Sequence, residues 1–386
     1  MKLGPSSESR RATAAYLGSF IGLGAASLLV GPSIDTFRTW TGASKGRIGI
    51  LFTVGAVGYF VGSLVAGRLL ARHGAHPVLG VGLLVAAAGL LAIPFAHKLD
   101  ALALLQIVLG FGCGMVDVTG NSAVLWVYRG GPIMNALHLS FAIGATIAPV
   151  IVARSLAWTG GLRVGYGVIA AMLGLFAWRV FIAPSPVNPH DEVDARLTRR
   201  QRSLVALGVL WFFAYVGVEV GFAGWIFEYG VARGLARNGA STWLGTAFLG
   251  AFAVGRLLSI PIAGRARPFP VLMTDVAVCA GALALLLIGG RAQPALWIGT
   301  LAFGLGTASM FPTMLSLAEP VIPSTGAVTS AFLAGSSVGT MIIPWAIGRL
   351  LDSAGPSAMP KVVLAGTLTT GLVVLGFRAI AARSSA

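Results

Sequence analysis

The sequence predicts an all-α membrane protein: twelve transmembrane helices in two pseudo-symmetric six-helix bundles. Three observations predict it. Twelve apolar stretches, each long enough to cross a bilayer, fill the 386 residues. Only 10% of residues are charged and 56% are hydrophobic, whereas an ordinary soluble domain carries roughly a quarter charged. The second six stretches also echo the first six at a register of about 193 residues, half the chain, which is the signature of a duplicated unit of six spans. Gly62, Arg72, Pro77, Val78 and Leu79 recur as Gly255, Arg265, Pro270, Val271 and Leu272. Gly112 and Gly114 find Gly304 and Gly306 at a register of 192, and Gly144 and Pro149 find Gly339 and Pro344 at 195.

About 20 apolar residues in a helix cross roughly 30 Å of hydrocarbon. The first span, 13–34, follows Arg10 and Arg11 and is too long for the core of a cleaved signal, so it reads as a retained helix. The second, 46–67, returns as the eighth, 240–263. The third, 75–95, and ninth, 269–289, are apolar on every face, which excludes the alternating pattern of a barrel strand. The fourth, 100–126, carries polar groups at helical spacing and is echoed in glycine by the tenth, 294–317. The fifth, 133–155, and eleventh, 323–349, share the glycine and proline pair. The sixth, 162–182, is stopped by Pro184. The seventh, 203–228, brackets an acid with aromatics, and the twelfth, 360–381, closes the second set.

The polar break between Ala183 and Ser203 begins with Pro184, Pro186 and Pro189, then mixes Asp191, Glu192 and Asp194 with Arg196, Arg199, Arg200 and Arg202. It divides the chain into an N-terminal bundle, 1–183, a cytoplasmic linker, 184–202, and a C-terminal bundle, 203–386. An even number of spans puts both termini on one side. Calling that side cytoplasmic gives it about 15 of the 27 Lys and Arg, against 11 outside, a modest positive-inside bias. The expected location is the cell (inner) membrane. The net charge of +15 suits anionic lipid heads at helix ends better than nucleic acid. Two cysteines in mid-span, Cys113 and Cys279, offer neither a disulfide framework nor a metal cluster.

Polar groups inside a bilayer cost several kcal/mol unless they face a partner or a cavity, so they are the first functional candidates. The fourth span sets Gln106, Gly110, Asp117 and Asn121 along one helical face. Carboxylate and amide together can pair with the hydroxyls of a polyhydroxylated ligand. A carboxylate held away from bulk water is also suited to carrying a proton, which makes Asp117 the first coupling candidate. In the seventh span Trp211, Tyr215, Glu219 and Phe222 share a face, with Trp225 and Tyr229 further along; aromatic faces stack on sugars and on cations alike. His138 and Asn135 open the fifth span, and histidine changes charge near physiological pH. Arg256 and Asp275, in adjacent spans, are expected to form a structural or gating ion pair. No phosphate-cradling loop, zinc-ligand cluster or catalytic triad is present in the pattern, so an ion gradient is the expected energy source.

The chain resembles the major facilitator superfamily over essentially its full length. Gly67, Arg68, Leu69, Leu70, Ala71, Arg72, His73 and Gly74, read as the loop after the second span, are similar to that superfamily's glycine, acid, arginine and glycine signature, with Ala71 where the acid usually stands. Gly112, Gly114, Asp117, Thr119 and Asn121, then Asn135, His138, Gly144 and Pro149, with Gly217, Glu219, Trp225 and Tyr229, resemble the fucose permease branch of sugar and proton symporters. That resemblance implies a coupling role for Asp117 with Asn121 as its polar neighbour. The first span, Tyr16 to Pro32, has no acid before Asp35, where the fucose permease has one within its first span, and this leaves the sugar open. Gly144, Ala148 and Pro149 are also similar to the antiporter signature of drug exporters, without its second glycine.

The expected function is secondary active transport: proton-coupled uptake of a sugar or similar small polar metabolite by alternating access. The expected partners are a small-molecule substrate and the lipid bilayer, with no nucleic acid, no metal, no cofactor beyond the coupling proton, and a monomeric state. Asp117, Glu219 and His138 are the coupling candidates; Gln106, Asn121, Tyr215 and Trp225 the substrate contacts; Arg256, Asp275 and Arg72 the gating or structural charges. No catalytic residue is expected. A proton-driven exporter of drugs or metabolites, and a non-transporting sensor on the same fold, are the alternatives.

Overall fold

A computed structural model describes residues 7–27, 29–43, 45–128, 131–186, 197–235, 240–289 and 292–382. Among them the elements are α1 (Ser7–Ser27), α2 (Val30–Thr41), α3 (Lys45–Ile48), α4 (Ile50–His73), α5 (Ala75–Ala92), α6 (Leu99–Tyr128), α7 (Pro132–Thr159), α8 (Arg163–Ile182), α9 (Arg199–Ala232), α10 (Ala240–Ala263), α11 (Pro268–Ile288), α12 (Gln293–Ala308), α13 (Met310–Ala318), α14 (Gly326–Ala354) and α15 (Ala358–Ala382), with a 3₁₀ turn, Ile93–Phe95, and no strand. Among the described residues twelve stretches are long and apolar enough to cross a membrane. One of them runs from α1 into α2, and another joins α12 to α13. The duplication is visible in the helix starts: α11 begins 193 residues after α5, α14 begins 194 after α7, and α15 begins 195 after α8.

Large apolar side chains such as Leu91, Leu104, Trp158, Trp345 and Leu372 are exposed. A water-soluble chain would not leave so many uncovered, whereas a lipid environment satisfies them. Backbone polar groups stay within the helices, as hydrocarbon requires.

The chain forms two compact units of six membrane spans each. The first holds α1 to α6, α7 from Leu137, α8 and residues 326–330 of α14; the second holds residues 132–136 of α7, α9 to α13, α14 from Ala331, and α15. The two exchanged opening turns are repeat equivalents, because Asn135 and Ser330 stand 195 apart, the register of Gly144 and Gly339. Each is fastened in the unit that receives it. Asn135 accepts a hydrogen bond from Ser259 at 2.5 Å in the second unit, and Ser330 donates to the Ser63 carbonyl at 2.5 Å in the first.

Three boundaries differ from expectation. Gly67 to His73, read as a loop, continue α4; Leu, Ala and Arg extend a helix readily, and the turn is Gly74 alone, at φ +74°. A side chain there would be strained. Arg199, Arg200 and Arg202 lie in α9 rather than in a linker, because Thr198 and Gln201 form a reciprocal capping box that starts the helix. Arg200 then reaches across to the Ile380 carbonyl at 3.1 Å and to Ala381. Asp191, Glu192, Asp194 and Arg196 lie outside the described residues. The tenth span is not one helix but two, meeting at Ser309.

Candidate functional site

In the first unit the packing of α4 on α6 decides the site. A Cβ on Gly110 would strike the Gly55 carbonyl, and one on Gly114 would strike the Tyr59 carbonyl and the Ser63 amide. The two backbones therefore touch without intervening side chains, as small residues allow in membrane helices. That close approach delivers the Tyr59 hydroxyl to Asp117, where it donates to Oδ2. Asn121, one turn on along α6, donates Nδ2 to Asp117 Oδ1 at 2.7 Å and to the Asp117 carbonyl at 2.9 Å. With its nitrogen committed to two acceptors, the Asn121 oxygen must itself accept. His138 Nε2 lies 3.2 Å from it and supplies that hydrogen. The edge of Phe20 closes on the His138 ring, with centroids 5.9 Å apart. Asn121 and His138 are buried, while Asp117 and Tyr59 are half-buried.

Three residues singled out in the sequence, Asp117, Asn121 and His138, thus form one hydrogen-bonded chain. Gln106 is not part of it. Eleven residues of α6 separate Gln106 from Asp117, about 16 Å along the axis. Gln106 is 4% exposed, and its Nε2 finds no hydrogen-bond partner among the described residues. A bare buried donor costs about 1–3 kcal/mol, which is the cost a bound hydroxyl or water would relieve.

In the second unit Tyr215 is central. Its ring stacks on Trp211 with centroids 4.9 Å apart and 18° between planes. Its hydroxyl contacts Glu219 Oε2 and lies 2.8 Å from the Thr307 carbonyl. A phenol has one hydrogen, so both contacts are complete hydrogen bonds only when Glu219 brings a hydrogen of its own. Thr307 sits where α12 gives way to α13, and two residues on, Ser309 donates to Asp275 Oδ2. Ser309 is the repeat equivalent of Asp117 at the 192 register: in the second half the acid stands on the neighbouring helix and a hydroxyl takes its place on the tenth span. The Arg256 guanidinium lies 4.3 Å from the centre of the Phe252 ring and acts electrostatically on Glu219 and Tyr215. Asp275 has Ser309 as its described hydrogen-bond donor. Trp225 commits its indole N–H to the Pro344 carbonyl at 2.9 Å and lays its ring against Gly348. Arg72 is exposed at the end of α4.

A small cleft opens in the second unit beside the first turn of α7, with Asn135, Ser259, Ser309, Thr313 and Ser316 among its lining. Cys113 and Cys279 are free and buried. Among the described residues no group of His, Cys, Asp and Glu could hold a metal ion.

Tyr59, Thr307 and Ser309 were not singled out by sequence. Only Tyr59 left a signal, as the one phenol of the second span, between Gly58 and Gly62.

The family model described as Major Facilitator Superfamily matches residues 13–344. A protein of Xenopus laevis named sodium-dependent glucose transporter 1 is 29% identical over 354 residues, covering 83% of this chain and 72% of its own. Among solved structures, FucP in an outward conformation superimposes with a TM-score of 0.80 at 17% identity, covering 95% of this chain and 98% of its own. The proton:xylose symporter XylE gives 0.77 at 12% identity, covering 96% and 95%.

Proposed function

The chain belongs to the major facilitator superfamily, and we propose that within it this protein is a secondary active transporter that couples uptake of a sugar, or a similar small polar metabolite, to proton entry by alternating access. One observation carries the coupling. Both carboxylate oxygens of Asp117 are met by hydrogens, from Tyr59 and from Asn121. A proton can join such a group by turning one donor aside. A sodium ion would have to take the same carboxylate lone pairs, and hydrogens aimed at them oppose it.

The substrate class rests on likeness to proteins named as transporters of glucose and xylose, together with the unpartnered amide nitrogen of Gln106. We assign Gln106 to substrate binding and Asp117 to coupling, with Asn121 and His138 behind it. Glu219, through its shared hydrogen with Tyr215, is the second proton carrier of this reading, and Tyr215 and Trp225 shape the second unit's share of the substrate path. Arg256, Asp275 and Arg72 are assigned to conformational control. Both termini are placed in the cytoplasm on the charge bias, with the protein acting as a monomer in the cell membrane.

The relatives' name favours a second reading, sodium-coupled glucose uptake. Proteoliposomes loaded at one pH and diluted into another, with and without a sodium gradient, separate the two. Accumulation of radiolabelled glucose or xylose driven by the proton gradient alone supports the first. Accumulation that follows sodium and ignores pH removes it.

A further inference from the structure

We propose that Tyr59 is the residue that exchanges roles when Asp117 takes up a proton: it donates to Oδ2 while the carboxylate is ionised, accepts from Oδ2–H once it is protonated, and then has its own hydroxyl hydrogen available for a substrate oxygen. The inference rests on the reading of Asp117 as the coupling acid and deepens it.

The geometry of the two carboxylate oxygens is unequal. On the Oδ1 side the donor is the Asn121 amide, which is held three ways: its nitrogen serves both Oδ1 and the Asp117 carbonyl, and its oxygen accepts from His138. To admit a proton on Oδ1 the amide would have to turn over and surrender the other two bonds. On the Oδ2 side the donor is a phenol hydroxyl. Its single hydrogen swings about the C–O bond with the ring fixed, so the same oxygen can accept instead. Protonation therefore goes to Oδ2, with the proton arriving from solvent and only the Tyr59 hydrogen bond reversed in direction.

The α4 and α6 backbones cannot follow the change. The Tyr59 backbone is pressed against Gly110 and Gly114 of α6, which fixes the helix pair and leaves the hydroxyl as the moving part. Tyr59 and Asp117 are both half-buried. Facing Asp117 are Tyr59 from α4 and Cys113 one turn earlier on α6, with Ser27 of α1 against Cys113 and His138 of α7 behind Asn121.

Tyr59 is in this reading a positioning residue for the proton and a contact residue for the substrate. The test is infrared difference titration of the full-length protein in lipid nanodiscs, following the carboxylic C=O band that Asp117→Asn abolishes. Removing one donor to a charged group is worth about one to two pH units. Tyr59→Phe should move the midpoint of that band upward by that amount, and His138→Gln, which alters the hydrogen bond to Asn121, should move it by less than half as much. In the wild type the tyrosine C–O band should shift in step with the Asp117 titration and stay still in Asp117→Asn, a readout that needs no Tyr59 variant to fold. A Tyr59→Phe midpoint equal to wild type, an equal or larger shift in His138→Gln, or a tyrosine band indifferent to Asp117 overturns the assignment. Wild-type uptake that ignores the proton gradient, with these infrared results intact, would overturn the transport reading and leave the role of Tyr59 standing.

Discussion

Ser309 donates its hydroxyl to the carboxylate of Asp275 at the point where the tenth span breaks in two. The repeat gives this bond its meaning. In the first half the tenth span's counterpart, α6, is unbroken and carries its own acid at the equivalent position, Asp117. The two halves have thus solved the same packing problem with the acid on different helices.

Ser309→Ala should leave Asp275 without that donor. Because Asp275 is only half-buried, the loss is expected near 1–2 kcal/mol, the lower part of the range for bonds to charged groups. Thermal unfolding of the purified protein in detergent measures it. Asp275→Asn, which removes the charge and keeps the shape, should cost less than Ser309→Ala; the reverse order would show that the carboxylate is held by something other than this hydroxyl.

Asp117→Asn should separate coupling from movement. Sugar counterflow between equal concentrations is expected to stay within about threefold of wild type. Accumulation driven by a proton gradient should fall at least tenfold, about 1.4 kcal/mol or more of lost driving force. Gradient-driven accumulation that survives the substitution removes Asp117 from the coupling step.

The α4 and α6 contact predicts a contrast between two glycines. Gly114→Ala drives a methyl group into the Tyr59 carbonyl, an overpacking cost of about 1–3 kcal/mol, and should lower the yield of folded protein. Gly281→Ala, in α11, meets nothing within 4 Å and should gain about 0.5–1 kcal/mol from the better helix former. Unfolding midpoints of the two variants, measured side by side, should move in opposite directions.

At the other acid, Glu219→Gln should be tolerated by the fold, since the new amide can still give a hydrogen to Tyr215. Tyr215→Phe removes the side-chain donor to the Thr307 carbonyl at the helix break, leaving it the Ser309 backbone N–H, and should cost about 1 kcal/mol. If Glu219→Gln destabilises more than Tyr215→Phe, Glu219 is ionised in this arrangement and its bond to the phenol runs the other way.

The twelve spans could be read from the chain because hydrocarbon leaves no alternative to long apolar helices. Asp117 with Asn121 was legible for the same reason that helices are: four residues make one turn. Tyr59 was not, because its partner is 58 residues away and the meeting depends on two glycine-lined backbones touching. Hydropathy ranks a residue's neighbourhood and says nothing of which helix supplies it. The extension of α4 to His73 was hidden by charge, since Arg68 and Arg72 resemble a surface loop while being good helix formers. Ser309 carried no mark, because a hydroxyl among the Thr307 and Thr313 hydroxyls of one span does not show which of them meets an acid.

The swapped opening turns of α7 and α14 bear on any attempt to split the molecule. A polypeptide ending after α8 would keep residues 132–136 with no seat of their own and would lack 326–330, which complete its packing around Ser63; a fragment starting at α9 would have the mirror deficit at Ser259. Each severed half would therefore be an unfinished object. Complementation should require the two fragments to be made together, so that each can lend the other its missing five residues.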